Sequence, residues 1–329
     1  MLYLTTGDKF DTYTAFHTMQ RDTAPNGGLY IPFKMPKIGI DEVKGLSFGD
    51  CVALVLNRFF GTSLTGKEIE FCVGRYPIRI KVSHQRTLIA ELFRNLDGSY
   101  SKMERRLAAK VVGCADDEVV MTSWLTIAIR VSVLYGVFAL MDIAESPIDI
   151  AVPCGDFRLT MAAWYGRAMG LPIGNIICAC DPNSSVWDLL RQGQMRTSIP
   201  EKAVTELERL IYATLGVEQA LLYHSICEDG GIYELQPEDT QKLSNGIFCA
   251  VVSKDRVESA ISNVYRTNSC VLEKGCAASY SGLMDYRAKA GGSRTALLLA
   301  DCNPADQADF IAPAMNITED ALKDLLRNS

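Results

Sequence analysis

The chain has 329 residues, 48% of them hydrophobic and 22% charged, with a formal net charge of −6. That is enough apolar chain for one large domain or two ordinary ones, and too apolar for a disordered protein. The acidic balance excludes the clustered positive charge that nucleic-acid binding requires, and it suits a cytoplasmic protein that handles small molecules or other proteins.

The first residues, Met1-Leu2-Tyr3-Leu4-Thr5-Thr6, show no basic n-region and no long apolar run, so no signal peptide is expected. Residues 1 to about 85 read as mixed, mainly helical structure. Pro25-Asn26-Gly27-Gly28 is a turn signal that leads into the extended Leu29-Tyr30-Ile31-Pro32. Val43, Leu46, Val52, Val55 and Phe59 have helical spacing, broken near Ser47-Phe48-Gly49. The longest apolar run spans 125–144. Arg130 and Asp142 interrupt it, so it reads as a buried core helix and no membrane role is expected.

From about residue 146 short apolar runs alternate with amphipathic stretches. Strands are predicted over 148–153, 175–179, 246–252 and 295–300. Helices are predicted over 159–169, 186–191, 201–215, 255–266 and 276–289. Thr318 caps a last helix that places Leu322, Leu325 and Leu326 on one face. This alternation implies an α/β fold, a parallel sheet with helices on both faces. Ligands of such sheets bind beyond the carboxyl ends of the strands, which selects the loops 153–158, 179–185 and 300–306. Eleven cysteines include no CxxC pair and no cluster at zinc spacing. Cys178, Cys180, Cys249 and Cys270 sit in apolar runs and read as reduced, buried thiols, so no metal site is expected.

Several motifs then follow one another in a telling order. They are Asn26-Gly27-Gly28-Leu29-Tyr30-Ile31-Pro32, Glu91-Leu92-Phe93, Ser123-Trp124 and Val152-Pro153-Cys154-Gly155-Asp156-Phe157, then Gly166-Arg167-Ala168-Met169-Gly170-Leu171-Pro172-Ile173 and Ala179-Cys180-Asp181-Pro182-Asn183-Ser184. In this order they resemble the threonine synthase family over nearly the whole chain. The resemblance implies a fold type II pyridoxal-phosphate architecture. It also implies a lyase of amino-acid biosynthesis that converts O-phosphohomoserine, a small phosphorylated amino acid, to threonine. Residues 123–329 resemble the family's large α/β domain, 1–85 form an N-terminal region, and 86–122 are a remnant of the small domain, most of which is missing. By the same resemblance Lys102 stands for the cofactor lysine. Gly155, Asp156, Phe157 and Arg158 stand for the phosphate loop, and Asp301 for the partner of the ring nitrogen.

The chemistry departs from the family where the frame does not. The family's Glu-Leu-Phe-His-Gly-Pro-Thr-Leu-Ala-Phe-Lys-Asp reads here Glu91-Leu92-Phe93-Arg94-Asn95-Leu96-Asp97-Gly98-Ser99-Tyr100-Ser101-Lys102-Met103, so Lys102 matches the lysine only with one residue inserted. The Asn of the phosphate loop is Asp156 and the following Gly is Arg158. Asp156 reads as a helix N-cap, and Arg158 as its ion-pair partner or as an anion ligand. The family's His and Lys beyond the last strand are Asn303 and Asp306, and His17, His84 and His224 lie outside the three loops. The expectation is a catalytically degenerate threonine synthase-like protein with a binding or partner-dependent role, as a homo-oligomer or with a protein partner. Two alternatives stay open. One is a working pyridoxal enzyme built on Lys102, Gly155 and Arg158. The other is a module that holds a small anion at Gly155–Arg158 without covalent chemistry.

Overall fold

The structure, a computed structural model, describes residues 1–327 except 75–77, 84–85, 96–97, 142–145 and 198–201. In chain order the strands are β1 (Leu2–Thr5), β2 (Asp8–Thr14), β3 (Tyr30–Pro32), β4 (Arg79–Ser83), β5 (Thr87–Glu91), β6 (Ile148–Pro153), β7 (Ile173–Cys180), β8 (Gln194–Arg196), β9 (Ile232–Glu234), β10 (Ile247–Val251) and β11 (Ala296–Ala300). They form a three-stranded sheet β2-β1-β3, a six-stranded sheet β10-β7-β6-β11-β5-β4 and the two-stranded β8-β9.

The N-terminal region is mixed with more helix than strand, as expected, but the first two strands were not predicted. It opens with the antiparallel sheet in which β1 pairs with both β2 and β3. Most of β2 is exposed and it carries Asp8, Lys9 and Asp11, so it has no apolar face to betray a strand. The turn before β3 needs its glycines. Gly27 has φ +81, and a Cβ on Gly28 would stand 2.3 Å from the Gly7 nitrogen. The expected helix after it is there as Phe48–Phe60, with Ser47 as its N-cap accepting from the Asp50 N–H at 3.1 Å.

The central sheet is parallel except at one edge, where β4 runs antiparallel to β5. The expected boundary near residue 85 therefore falls within the β4–β5 pair of one continuous sheet. Alternation along each strand divides the core in two. Ile150, Val152, Ile176 and Leu297 face the layer that holds the helices Phe48–Phe60, Tyr100–Val112, Ser123–Leu140 and Arg158–Met169. Ala151, Ile177, Ala250 and Leu298 face Lys254–Asn268, Lys274–Ala290, Ala308–Met315 and Glu319–Arg327. Fully burying each such aliphatic side chain contributes ~1.5–3 kcal/mol against leaving it exposed, so the sandwich of two helical layers is the dominant source of cohesion. Thr318 caps the last helix as expected, accepting from the Ala321 N–H at 3.2 Å.

The apolar run settles as Ser123–Leu140. Among the described residues it is the one helix long and apolar enough to cross a membrane, and 83% of it is buried within the fold. Its Gly136 lets Phe48 approach, since a Cβ there would lie 2.5 Å from the Phe48 ring. Trp124 at its start meets Tyr3, Phe59 and Tyr165 edge to face at 5.7, 5.5 and 5.4 Å. Such pairs add ~0.5–1.5 kcal/mol each beyond burial and fasten the N-terminal sheet to the helical layer.

Candidate functional site

The carboxyl end of β6 leads through Cys154–Phe157 into the helix Arg158–Met169. Gly155 has φ +48 and Phe157 φ +62, and the Phe157 N–H closes the loop on the Cys154 carbonyl at 2.7 Å. A left-handed Phe costs on the order of 1 kcal/mol, which the complete burial of its ring offsets. These two backbone reversals return Asp156 over the helix N-terminus, where its Oδ1 accepts from the Arg158 N–H at 3.1 Å. The N-cap residue is thus Phe157 rather than Asp156 as the sequence suggested; Asp156 stands one position before it and reaches the first helical N–H with its side chain.

Around this loop the charges form an alternating chain. Arg130, from Ser123–Leu140, places Nε 2.7 Å from Glu104 and Nη1 3.2 Å from Asp156. Arg158 reaches Asp156 at 3.6 Å through Nη1 and Glu206 at 3.1 Å through Nε. Glu206 continues to Arg209, and it also accepts from the Ser123 hydroxyl. Arg209, fully buried, donates on to Ser123 Oγ at 2.6 Å and the Tyr30 carbonyl at 3.0 Å. Three carboxylates are matched to three guanidiniums. Burial opposes the charge on Arg130, but Glu104 beside it raises its pKa, so it stays protonated. Burial likewise pushes the Glu104 carboxyl up, with Arg130 pulling against it.

Asp301 follows β11 and joins this group across a cavity of about 140 Å³ lined by Tyr100, Glu104, Arg130, Asp301 and Asn303 among others. Its other neighbour is Glu273, which caps Lys274–Ala290 by accepting from the N–H groups of Gly275, at 2.7 Å, and Cys276. Burial, and then Asp301 nearby, push the Glu273 carboxyl up to about 8.

Gly155, Asp156, Phe157 and Arg158 are therefore together, and Asp301 lines the small cavity with Arg130, which reaches Asp156 at 3.2 Å. Lys102 does not join them. It lies on the first turn of Tyr100–Val112 with its side chain exposed. Two residues are ~200° of helix, so the turn that aims Glu104 at the sheet aims Lys102 outward. Sequence reasoning missed Glu104, Glu206 and Arg209. Arg130 carried a readable signal as a charge inside an apolar run, and the i, i+3 spacing of Glu206 and Arg209 was a weaker one. Neither spacing says which loop the charges serve.

The remaining candidates are structural. All eleven cysteines are free. The sulfurs of Cys154, Cys178 and Cys180 lie within 4.8 Å of one another, all buried. The Cys178 thiol beside it, and burial, push Cys154 well up, so these groups are neutral thiols in the core. His17 sits 3.0 Å from Thr14 Oγ1 at a helix start. His224 bridges Glu208 at 3.1 Å and Glu228 at 3.4 Å, far from the loops in sequence and outside the cavity they line. His84 lies outside the described residues.

Residues 2–76 match the family described as Threonine synthase N terminus. Threonine synthase-like 1 of Homo sapiens is 24% identical over 161 residues, which cover 43% of this chain and 22% of that protein. The Mus musculus protein of the same name is 42% identical over 48 residues. The chain thus matches less than a quarter of the length of these curated relatives. The PLP-bound threonine synthase from Brucella melitensis superposes with a TM-score of 0.80 at 15% identity, over 99% of this chain and 94% of that one. The yeast enzyme superposes at 0.77 and 14% identity, over 96% and 90%. The chain thus carries a threonine synthase N-terminal segment over residues 2–76 and, as a whole, the fold of the threonine synthases.

Proposed function

We propose that this protein is a catalytically silent threonine synthase-like protein with a binding or partner-dependent role. The observation that carries this reading is the ion-pair chain at the β6 loop. A pyridoxal cofactor needs a lysine amine for its aldehyde, N–H groups or cations for its phosphate, and a partner for its ring nitrogen. Asp301 suits the last of these, and Gly155 leaves open space. The rest does not fit. Asp156 already occupies the helix N-terminus, and Arg130 and Arg158 are committed to carboxylates. A phosphate dianion placed ~4 Å from Asp156 meets about 4 kcal/mol of repulsion per pair of unit charges at an effective dielectric near 20. The cavity of about 140 Å³ is small beside ligand pockets of ~300–1,000 Å³. Lys102 points away from it.

The test is spectroscopic. Purified protein mixed with pyridoxal phosphate is expected to show no visible band beyond that of the free cofactor, and borohydride is expected to fix nothing on Lys102. A band that borohydride traps, and that Lys102→Ala abolishes, would replace this reading with the alternative, a PLP-dependent lyase acting on O-phosphohomoserine or a related compound. What supports that alternative is the fold likeness to a PLP-bound threonine synthase.

The same reading supplies a partner, a second copy or another protein. Phe71 and Val112 stand exposed on two helices that pack together, beside the ten-residue link 113–122. Exposed apolar side chains of this kind are typical of contact surfaces. Light scattering behind gel filtration that gives a monomer at every concentration, and that mass alone from cell extract, would count against it.

A further inference from the structure

Cys178-Ala179-Cys180 on β7 turns both of its thiols to one face of the sheet, because alternate residues of a strand share a face. The neighbouring strands bring two more. Cys249 of β10 is in register with Cys178, and its thiol lies against those of Cys178 and Cys180. Cys154 follows β6 directly after the Pro153–Ala179 pair, and its N–H donates to the Ala179 carbonyl at 2.8 Å. Three adjacent strands thus gather four sulfurs at one place, although the sequence holds no CxxC pair to announce them.

All four thiols are buried. The Cys178 and Cys180 sulfurs are 3.9 Å apart, and the Cys154 sulfur lies within 4.8 Å of both. A tetrahedral zinc ion with bonds of ~2.3 Å sets its sulfurs ~3.8 Å from one another. The spacing found is close to the spacing such an ion needs. A buried thiol packs as a small apolar group, but packing alone does not require four sulfurs to face one another. Contacts among the thiols, and burial, hold all four above the ordinary thiol range, so without a cation they keep their protons. Two hydroxyls are already aimed at sulfur. Thr160 donates to Cys178 Sγ at 3.5 Å, and Ser184 bonds to Cys154. Outer hydrogen bonds of this kind orient and stabilise metal ligands. Cys154 is 6% exposed and Ser184 7%, in the loops that leave β6 and β7, so an ion has a short way in.

We infer that Cys154, Cys178, Cys180 and Cys249 form a site for one thiophilic divalent cation, zinc, which fastens the start of the β6 loop to β7 and β10. On binding, four S–H bonds give way to four Zn–S bonds, and four protons leave to solvent. The tetrathiolate that results carries two net negative charges, which the hydroxyls of Thr160 and Ser184 help to spread. This site stands whether or not the β6 loop takes a cofactor.

The experiment uses the whole protein, reduced and freed of metal by a chelator without oxygen, with Co2+ and then Zn2+ as probes. Cobalt is expected to give thiolate-to-metal charge-transfer absorption that saturates at one ion per chain, and zinc to abolish it. Zinc added to weakly buffered protein near neutral pH is expected to release about three to four protons per ion. A surface site of carboxylates and imidazole has almost no protons to release at that pH. Cys154→Ser, at the most exposed of the four positions, is expected to weaken zinc binding by about tenfold or more and to lower both signals. Cys114→Ser with Cys270→Ser, away from the cluster, is expected to leave them as in the wild type. Absence of the charge-transfer band, or a band that Cys154→Ser leaves unchanged, overturns the proposal. So does the release of fewer than about two protons per zinc by the wild type, a measurement that needs no variant to fold.

Discussion

Two charged corners of the same sheet use the same residue types and pair them differently. At the β6 loop Glu104, Asp156 and Glu206 are matched by Arg130, Arg158 and Arg209. At the end of β5 one buried carboxylate holds three cations at the floor of a cleft of about 1000 Å³. The difference teaches that the presence of arginines does not make an anion site, because a matched pair in a partly desolvated corner leaves no field for an outside ligand. The loop that the sequence resemblance assigned to the cofactor phosphate is the matched one.

The largest effect is expected where the matched chain is most buried. Glu206→Ala leaves Arg209, fully buried, without its carboxylate. The cost is expected to be ~3–5 kcal/mol, measured as a loss of urea-unfolding stability. A change within ~0.5 kcal/mol, the scale of a bland surface substitution, would break the comparison, since the arginines would then need no internal partner.

Glu273 stands between the two corners, on a segment whose Val271 lines the cleft and whose Gly275 approaches Pro153. Its carboxyl is raised by burial and by Asp301, from 4.5 to about 8. The folded protein therefore holds a proton there that the unfolded chain has released, and this contribution to stability is complete below pH 4.5. It declines as pH rises through the window from 4.5 to about 8, by up to ~1.4 kcal/mol per unit and at most about 5 kcal/mol in all. Glu273→Gln, compared with the wild type across that window, is expected to remove this part of the slope. Parallel curves for the two proteins would mean that Glu273 is ionised in the fold.

The smallest effect sharpens the other corner. Glu91→Gln frees three cations from their shared carboxylate and is expected to cost ~1–3 kcal/mol. Unchanged stability in urea would mean that these cations do not depend on the shared carboxylate.

Much of the fold was legible from periodicity. The strand predicted over 148–153 is β6 to the residue, and those over 175–179, 246–252 and 295–300 are β7, β10 and β11 within two residues at either end. These strands are buried on both faces, so their apolar runs are continuous and stand out. The edge strands β2 and β4 were not legible, whereas the edge strand β10 was. β2 and β4 carry Lys9, Asp11, Arg79 and Lys81, and a strand half in water has little apolar pattern to read. Of the site, the β6 loop was found by its glycine and its place at a strand end. Lys102 was carried over from a family motif whose spacing had already slipped by one residue, and on a helix small slips turn a side chain away.

What the sequence determined by itself was the alternation of strands and helices, the capping role of Thr318, and the kinship to a family of folds, because each depends on neighbours within a few positions or on the order of motifs. Which charges would meet was decided only in three dimensions. Glu104 and Arg130 are 26 residues apart, as are Arg130 and Asp156, and Arg158 and Glu206 are 48 apart. Ion pairing depends on distance through space and on burial, and only the fold brings these residues together, beyond the carboxyl end of the interior strand β6.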